Sequence, residues 1–86
     1  MAAPLPPVIR VQLFARYAEL LGGQFVDVPA DGVRTVGDVL ARLRELPGGA
    51  GIGASTLVAV NLRQARLDVP VSSADEVAVL PPLAGG

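Results

Sequence analysis

From Val8 to Phe14 the chain alternates, with Ile9, Val11 and Leu13 on one side and Arg10 and Gln12 on the other. Successive strand side chains point to opposite faces, so this period of two predicts a half-buried strand. Residues 15–21 are mostly helix-compatible and Gly22-Gly23 follows, which predicts a short helical turn. Gln24 to Val28 alternates again and predicts a second strand, able to pair antiparallel with the first. Over Val36 to Leu46 the period changes. Val36, Val39, Leu40, Leu43 and Leu46 form one apolar stripe at helical spacing. Thr35 is the predicted N-cap, and Asp38 completes a capping-box-like start. Asp38 and Arg42, four apart, are placed to pair on the wet face. Pro47-Gly48-Gly49 ends the helix, while Gly37 in its first turn weakens it.

Beyond the helix, residues 48–54 read as a glycine-rich loop. Leu57 to Asn61 reads as a buried strand, Ala65 to Leu67 as a short one, residues 72–75 as a turn and Glu76 to Leu80 as the last strand. Two strands, one main helix and then further strands predict an α+β domain, with a mixed sheet packed against one helix. The domain runs over residues 8–80. A proline-rich leader (1–7), expected to be flexible, precedes it, and an extended tail (81–86) follows.

Composition sharpens the picture. Apolar residues make up 51% and charged residues 17%, against a usual charged share of about 25%, so the chain is not disordered. That is more apolar surface than so small a domain easily buries, and part of it is expected outside as a contact face. A net charge of −1 without a basic cluster argues against nucleic acid and against an anionic membrane surface. No apolar run approaches the ~20 residues of a membrane helix, and the start lacks the pattern of a signal peptide, so a cytoplasmic protein is expected. The absence of cysteine and histidine excludes disulfides, thiolate and histidine-dependent catalysis, and the usual zinc or iron–sulfur ligand sets. No metal site is expected. All seven basic residues are arginine, so no lysine is present for a Schiff base or an isopeptide bond.

Gly49-Ala50-Gly51-Ile52-Gly53-Ala54 formally matches a dinucleotide fingerprint. That chemistry needs a loop that follows a strand and opens a helix, whereas this one follows a helix and leads to a strand. It reads as a flexible connector. Asp75 and Glu76 are adjacent and would face opposite sides of a strand, so they read as turn solvation rather than an acid/base pair. Ser55 and Thr56 have no suitable base nearby. Phe14 reads as a packing residue first and a partner contact second.

The end of the chain is different in kind. Leu80-Pro81-Pro82-Leu83-Ala84-Gly85-Gly86 joins a stiff proline pair to two residues without side chains. Six residues beyond Leu80 span roughly 20 Å when extended. Such a tail is stiff at its base and slim at its tip, suited to threading the terminal carboxylate into another protein's active site.

Phe14-Ala15, Glu19-Leu20-Leu21-Gly22, Ala59-Val60-Asn61, and Asp75-Glu76-Val77-Ala78-Val79-Leu80-Pro81-Pro82 with the final Gly85-Gly86 occur in order. Together they resemble the small subunit of molybdopterin synthase, the MoaD family. The resemblance covers Val8 to Gly86, and its acidic, apolar, Pro-Pro and Gly-Gly ending is its most specific part. It implies a β-grasp, ubiquitin-like fold and a sulfur carrier rather than a stand-alone enzyme, with no cofactor bound. A ubiquitin-activating-like adenylyltransferase would use ATP to adenylate the Gly86 carboxylate. A sulfur donor protein would then convert it to a thiocarboxylate. Pro81, Pro82, Leu83, Ala84 and Gly85 would insert with Gly86 into the large subunit, where sulfur passes to cyclic pyranopterin monophosphate. A heterotetramer of two small and two large subunits is the family expectation.

By the same resemblance, Phe14 and Leu80 would contact partner surfaces. Val79 and Leu80 stand where some members have paired phenylalanines, and Ala18 where some have arginine. Aromatic anchoring and one polar contact to the activating enzyme are therefore not carried over. Related carriers for cysteine or thiazole synthesis share the Gly-Gly ending and the thiocarboxylate. A ubiquitin-like protein modifier and an inert interaction module complete the alternatives.

Overall fold

A computed structural model describes residues 6–82. The alternation at the start becomes β1 (Val8–Leu13), in which Ile9, Val11 and Leu13 are buried. A short helix α1 (Arg16–Leu21) follows and closes on Gly22 in the left-handed conformation. Then come β2 (Phe25–Pro29), the main helix α2 (Val36–Glu45), β3 (Leu57–Val60), β4 (Arg63–Ala65) and β5 (Val77–Leu80). The five strands form one mixed sheet in the order β2-β1-β5-β3-β4. β1 pairs antiparallel with β2 and parallel with β5, and β3 pairs antiparallel with both β5 and β4. This is the β-grasp arrangement expected of the sequence.

The helix stripe seats α2 on the sheet. Val36, Val39, Leu40 and Leu43 meet Ile9, Val11, Leu13, Val28, Val58, Val77 and Val79 in one core. Leu46 lies past the last helical turn and is exposed, so the buried stripe ends at Leu43. The capping box forms as read: Asp38 N donates to Thr35 Oγ1 at 3.3 Å and Thr35 N to Asp38 Oδ2 at 3.1 Å. Arg34 N also donates to Asp38 Oδ2, at 2.9 Å. With its carboxylate committed to the cap, Asp38 does not pair with Arg42, whose Nη2 donates to the Asp31 carbonyl instead. Local backbone donors win over a solvated side-chain pair worth a few tenths of a kcal/mol.

Three other expectations change. The glycine-rich stretch is not a flexible connector; it contains a 3-10 turn at Gly49–Gly51 wedged between α1 and α2. A Cβ on Gly48 would fall 2.0 Å from the Leu20 carbonyl oxygen, and one on Gly49 would fall 1.8 Å from that of Leu43. Arg44 closes the stretch, donating to the carbonyls of Ile52 at 3.0 Å and Gly53 at 3.1 Å. These glycines serve close backbone packing.

The short strand lies at Arg63–Ala65 rather than Ala65–Leu67, because a two-residue turn sets Val60 directly opposite Arg63. Its central residues, Asn61 and Leu62, have φ of 52° and 70°, as a type I′ hairpin turn demands. Gly37 has a packing reason as well. The Leu67 carbonyl accepts from its N–H at 2.9 Å and would lie 3.3 Å from an added Cβ.

Candidate functional site

Because β1 and β5 run parallel, both deliver their last residues to the same end of the sheet. Leu13 stands opposite Val79, and Phe14 N–H donates to the Val79 carbonyl at 3.2 Å. On the other side of β5, Leu80 stands opposite Leu57, the first residue of β3. The strand that carries the tail is thus paired on both flanks. Pro81, half-buried, and Pro82, exposed, continue directly from it. Leu83, Ala84, Gly85 and Gly86, which hold the expected reactive carboxylate, lie outside the described residues.

The two faces of the sheet differ sharply. Val77 and Val79 face the helix and are buried, so Ala78 and Leu80 take the opposite face. Val79 has no exposed surface, and of the residues standing where some family members have phenylalanines only Leu80 reaches the open face. The same alternation puts Arg10, Gln12 and Phe14 of the first strand segment outward, beside Phe25 and Asp27 of β2. Both phenylalanines of the chain therefore lie outside the core: Phe14 is 38% and Phe25 52% exposed. Phe14 and Leu80 share the end of the sheet from which the tail departs. Sequence reading singled out Phe14 and missed Phe25, although Val26 and Val28 turning inward already placed Phe25 outward.

Charge on the open face is sparse. Arg10 Nε donates to Asp27 Oδ1 at 3.2 Å across β1 and β2, and its guanidinium lies 5.5 Å from the Phe25 ring centre. Both charged side chains are well exposed, so this pair contributes little to stability. Near it, Arg10, Gln12, Phe25, Asp75, Glu76 and Val77 line a shallow groove. Among the described residues no cluster of acidic side chains has the arrangement to hold a metal, and no helix is long and apolar enough to cross a membrane.

The polar residues near the start of β5 and β3 build geometry. Asn61 accepts from Glu76 N at 2.9 Å through Oδ1 and donates to Asp75 Oδ1 at 2.9 Å through Nδ2. Its own N–H donates to the Glu76 carbonyl at 2.8 Å. Asp75 Oδ2 accepts from Ser72 N at 2.8 Å, closing the turn before β5. The Asn61 amide, then the Ser72 N–H, hold the Asp75 carboxyl below its ordinary value. For Asp38 the Arg34 and Thr35 N–H groups do the same. Asn61 thus clamps the β3–β4 hairpin to the start of the tail-bearing strand. Thr56 is likewise structural: its hydroxyl donates to the Gly53 carbonyl at 2.7 Å, leaving Tyr17 Oη to donate to Thr56 Oγ1 at 2.6 Å.

Known proteins share this arrangement. The ThiS family model matches residues 11–86. SAMP1 of Haloferax volcanii, a small archaeal modifier protein, is 32% identical over 92% of this chain and 99% of its own, with a TM-score of 0.75. A putative molybdopterin converting factor subunit 1 from Pyrococcus furiosus is 26% identical over 90% of this chain and 99% of its own, with a TM-score of 0.73. A chain of the protein-protein complex of molybdopterin-converting factor subunits 1 and 2 from Helicobacter pylori, 21% identical, shares the fold over 92% of this chain and 99% of its own, with a TM-score of 0.65. With the family model spanning nearly the whole chain, and the sheet, helix and tail-bearing strand in place, this chain belongs to the ThiS family of ubiquitin-like sulfur carriers.

Proposed function

We propose that this chain is the sulfur-carrying small subunit of a molybdopterin synthase, with the Gly86 carboxylate as its reactive group. The observation that carries the reading is the attachment of the tail to a central strand paired on both sides, beside an open apolar face holding Phe14 and Leu80. A protein-sized partner gripping that face would receive the tail in a fixed direction. The likeness to the Pyrococcus furiosus subunit, and the pairing of subunits 1 and 2 in Helicobacter pylori, support a large-subunit partner.

A carboxylate is a poor electrophile, so the chemistry needs an activated leaving group. An adenylyltransferase of the ubiquitin-activating type supplies it: a Gly86 carboxylate oxygen attacks the α-phosphorus of ATP and pyrophosphate leaves. Sulfur from a persulfide-bearing donor protein then attacks the acyl carbon and expels AMP. Reduction of the resulting acyl disulfide by a thiol frees the thiocarboxylate. Residues 81–86 thread into the large subunit, whose groups provide the acid and base for transfer to cyclic pyranopterin monophosphate. This chain contributes the acyl carrier, the narrow tail and the docking face.

Incubation with the activating enzyme, ATP and a sulfur source should give an oxygen-for-sulfur mass change on the intact chain. Deleting Gly86 should leave folding nearly unchanged and abolish the change; retained transfer by the truncated chain defeats the proposal. Co-purification with a molybdopterin synthase large subunit selects this role over cysteine or thiazole synthesis.

The likeness to SAMP1 favours a second reading, in which Gly86 forms isopeptide bonds with lysines of other proteins. Lysine-linked conjugates carrying this chain's C-terminus would establish it.

A further inference from the structure

Resting on the carrier reading, we infer that the folded body is chemically closed to its own activated tail. An acyl group raised on Gly86 meets no side-chain amine, thiol or imidazole, on the same chain or on a second copy. The 86 residues contain no lysine, cysteine or histidine, and all seven basic side chains are arginine. An activated acyl carbon is attacked by a neutral amine; the new amide bond forms, the amine loses a proton, and AMP or a thiol departs. A lysine releases its proton near 10.4 and so supplies some neutral amine in mildly alkaline solution. A guanidinium stays protonated and delocalised and does not.

The structure separates what these guanidinium groups do for the fold from what they spare the chemistry. Arg44 uses two nitrogens on neighbouring carbonyls, Arg10 spans Asp27 and the Phe25 ring, and Arg42 reaches the Asp31 carbonyl. Arg16, Arg34, Arg63 and Arg66 are exposed, and their side chains make no hydrogen bond or ion pair among the described residues. The fold does not demand arginine at these four places. A lysine there would be tolerated and would set an amine in water.

Side-chain hydroxyls remain, and those of Tyr17 and Thr56 are engaged in hydrogen bonds. With no histidine to deprotonate them, they are weak acceptors for acyl transfer. As far as side chains go, the chain therefore delivers its acyl group outward only. It carries sulfur, or joins an acceptor as a single copy, and does not build chains of itself through side chains.

The test uses the full chain with a thioester at Gly86, so no activating enzyme is needed, and with an acetylated N-terminus. At mildly alkaline pH and high protein concentration, the parent should hydrolyse to the free acid with no side-chain self-conjugates. Arg63→Lys and Arg66→Lys variants with unchanged urea midpoints should give dimeric or cyclised amides, mapped by mass spectrometry to the new lysine. Self-conjugates in the parent at the level of the variants would overturn the inference. Lysine variants that stay free of conjugates would overturn it too, because geometry rather than the missing amine would then protect the chain. Formation of the thiocarboxylate is read separately, so its failure would count against the carrier reading and leave this result standing.

Discussion

The two faces of the sheet are cut from the same strands yet obey different rules. On the helix side the central positions are aliphatic and tightly buried: Ile9, Val11, Leu13, Val28, Val58, Val77 and Val79 lock under α2. On the open side the same strands present Phe14, Phe25 and Leu80 among Arg10, Gln12 and Asp27. Both phenylalanines stand outside the core, on the open side. On the proposed function, stability rests on one face and contact on the other, and a substitution on one should leave the other nearly untouched.

The strongest challenge to that division is Leu43→Ala on the closed face. It removes a fully buried side chain and should cost about 2–5 kcal/mol, read as a fall in the urea midpoint. If the cost were below ~1 kcal/mol, the helix-side packing would not be what holds the domain. Asn61→Ala comes next, because it loses two side-chain hydrogen bonds from the hairpin to Asp75 and Glu76, just ahead of β5. A loss of about 2 kcal/mol is expected, with amide exchange quickening at Glu76.

On the open face, Phe14→Ser should change stability by less than about 1 kcal/mol. It should nevertheless weaken capture of the chain by an immobilised partner, measured as a faster dissociation rate. Equal losses of folding and capture would erase the contrast between faces. Leu62→Asn reaches in the other direction. Leu62 is 91% exposed with φ of 70°, a conformation asparagine tolerates better, so this variant should gain about 0.5 kcal/mol.

Acid provides the gentlest probe. Asp38 and Asp75 hold their protons less tightly folded than unfolded, so both stabilise the fold above the ordinary carboxylate range. That contribution should fade as pH falls below about 4 towards the lower folded values. Asp75→Asn should flatten the pH dependence of the urea midpoint between neutral and acidic solution.

Legibility in the sequence followed how local each cause was. The alternation of Ile9, Val11 and Leu13, the α2 stripe and the Thr35–Asp38 cap involve neighbours within one turn or one strand, and all could be read directly. The Asn61-Leu62 turn was hidden because leucine stands where glycine usually announces a type I′ hairpin, which shifted the next strand by two residues. Gly48 and Gly49 looked like slack because their crowding comes from the Leu20 and Leu43 carbonyls, far along the chain. Arg42 left its expected partner because the backbone of the capping box had already claimed the Asp38 carboxylate. The candidate site was named from residue type, in Phe14 and the Pro81-Pro82 pair. That Phe14 and Leu80 meet at one end of the sheet follows only from the parallel pairing of β1 with β5.

Such pairing has a mechanical consequence. A hairpin pulled open at its end gives way one bond after another, like a zip. A load applied at Pro82 along β5 instead falls on the ladders to β1 and β3 together, in shear. The strand would resist withdrawal until many bonds failed at once, so a pull at Pro82 would not readily unravel the body behind it.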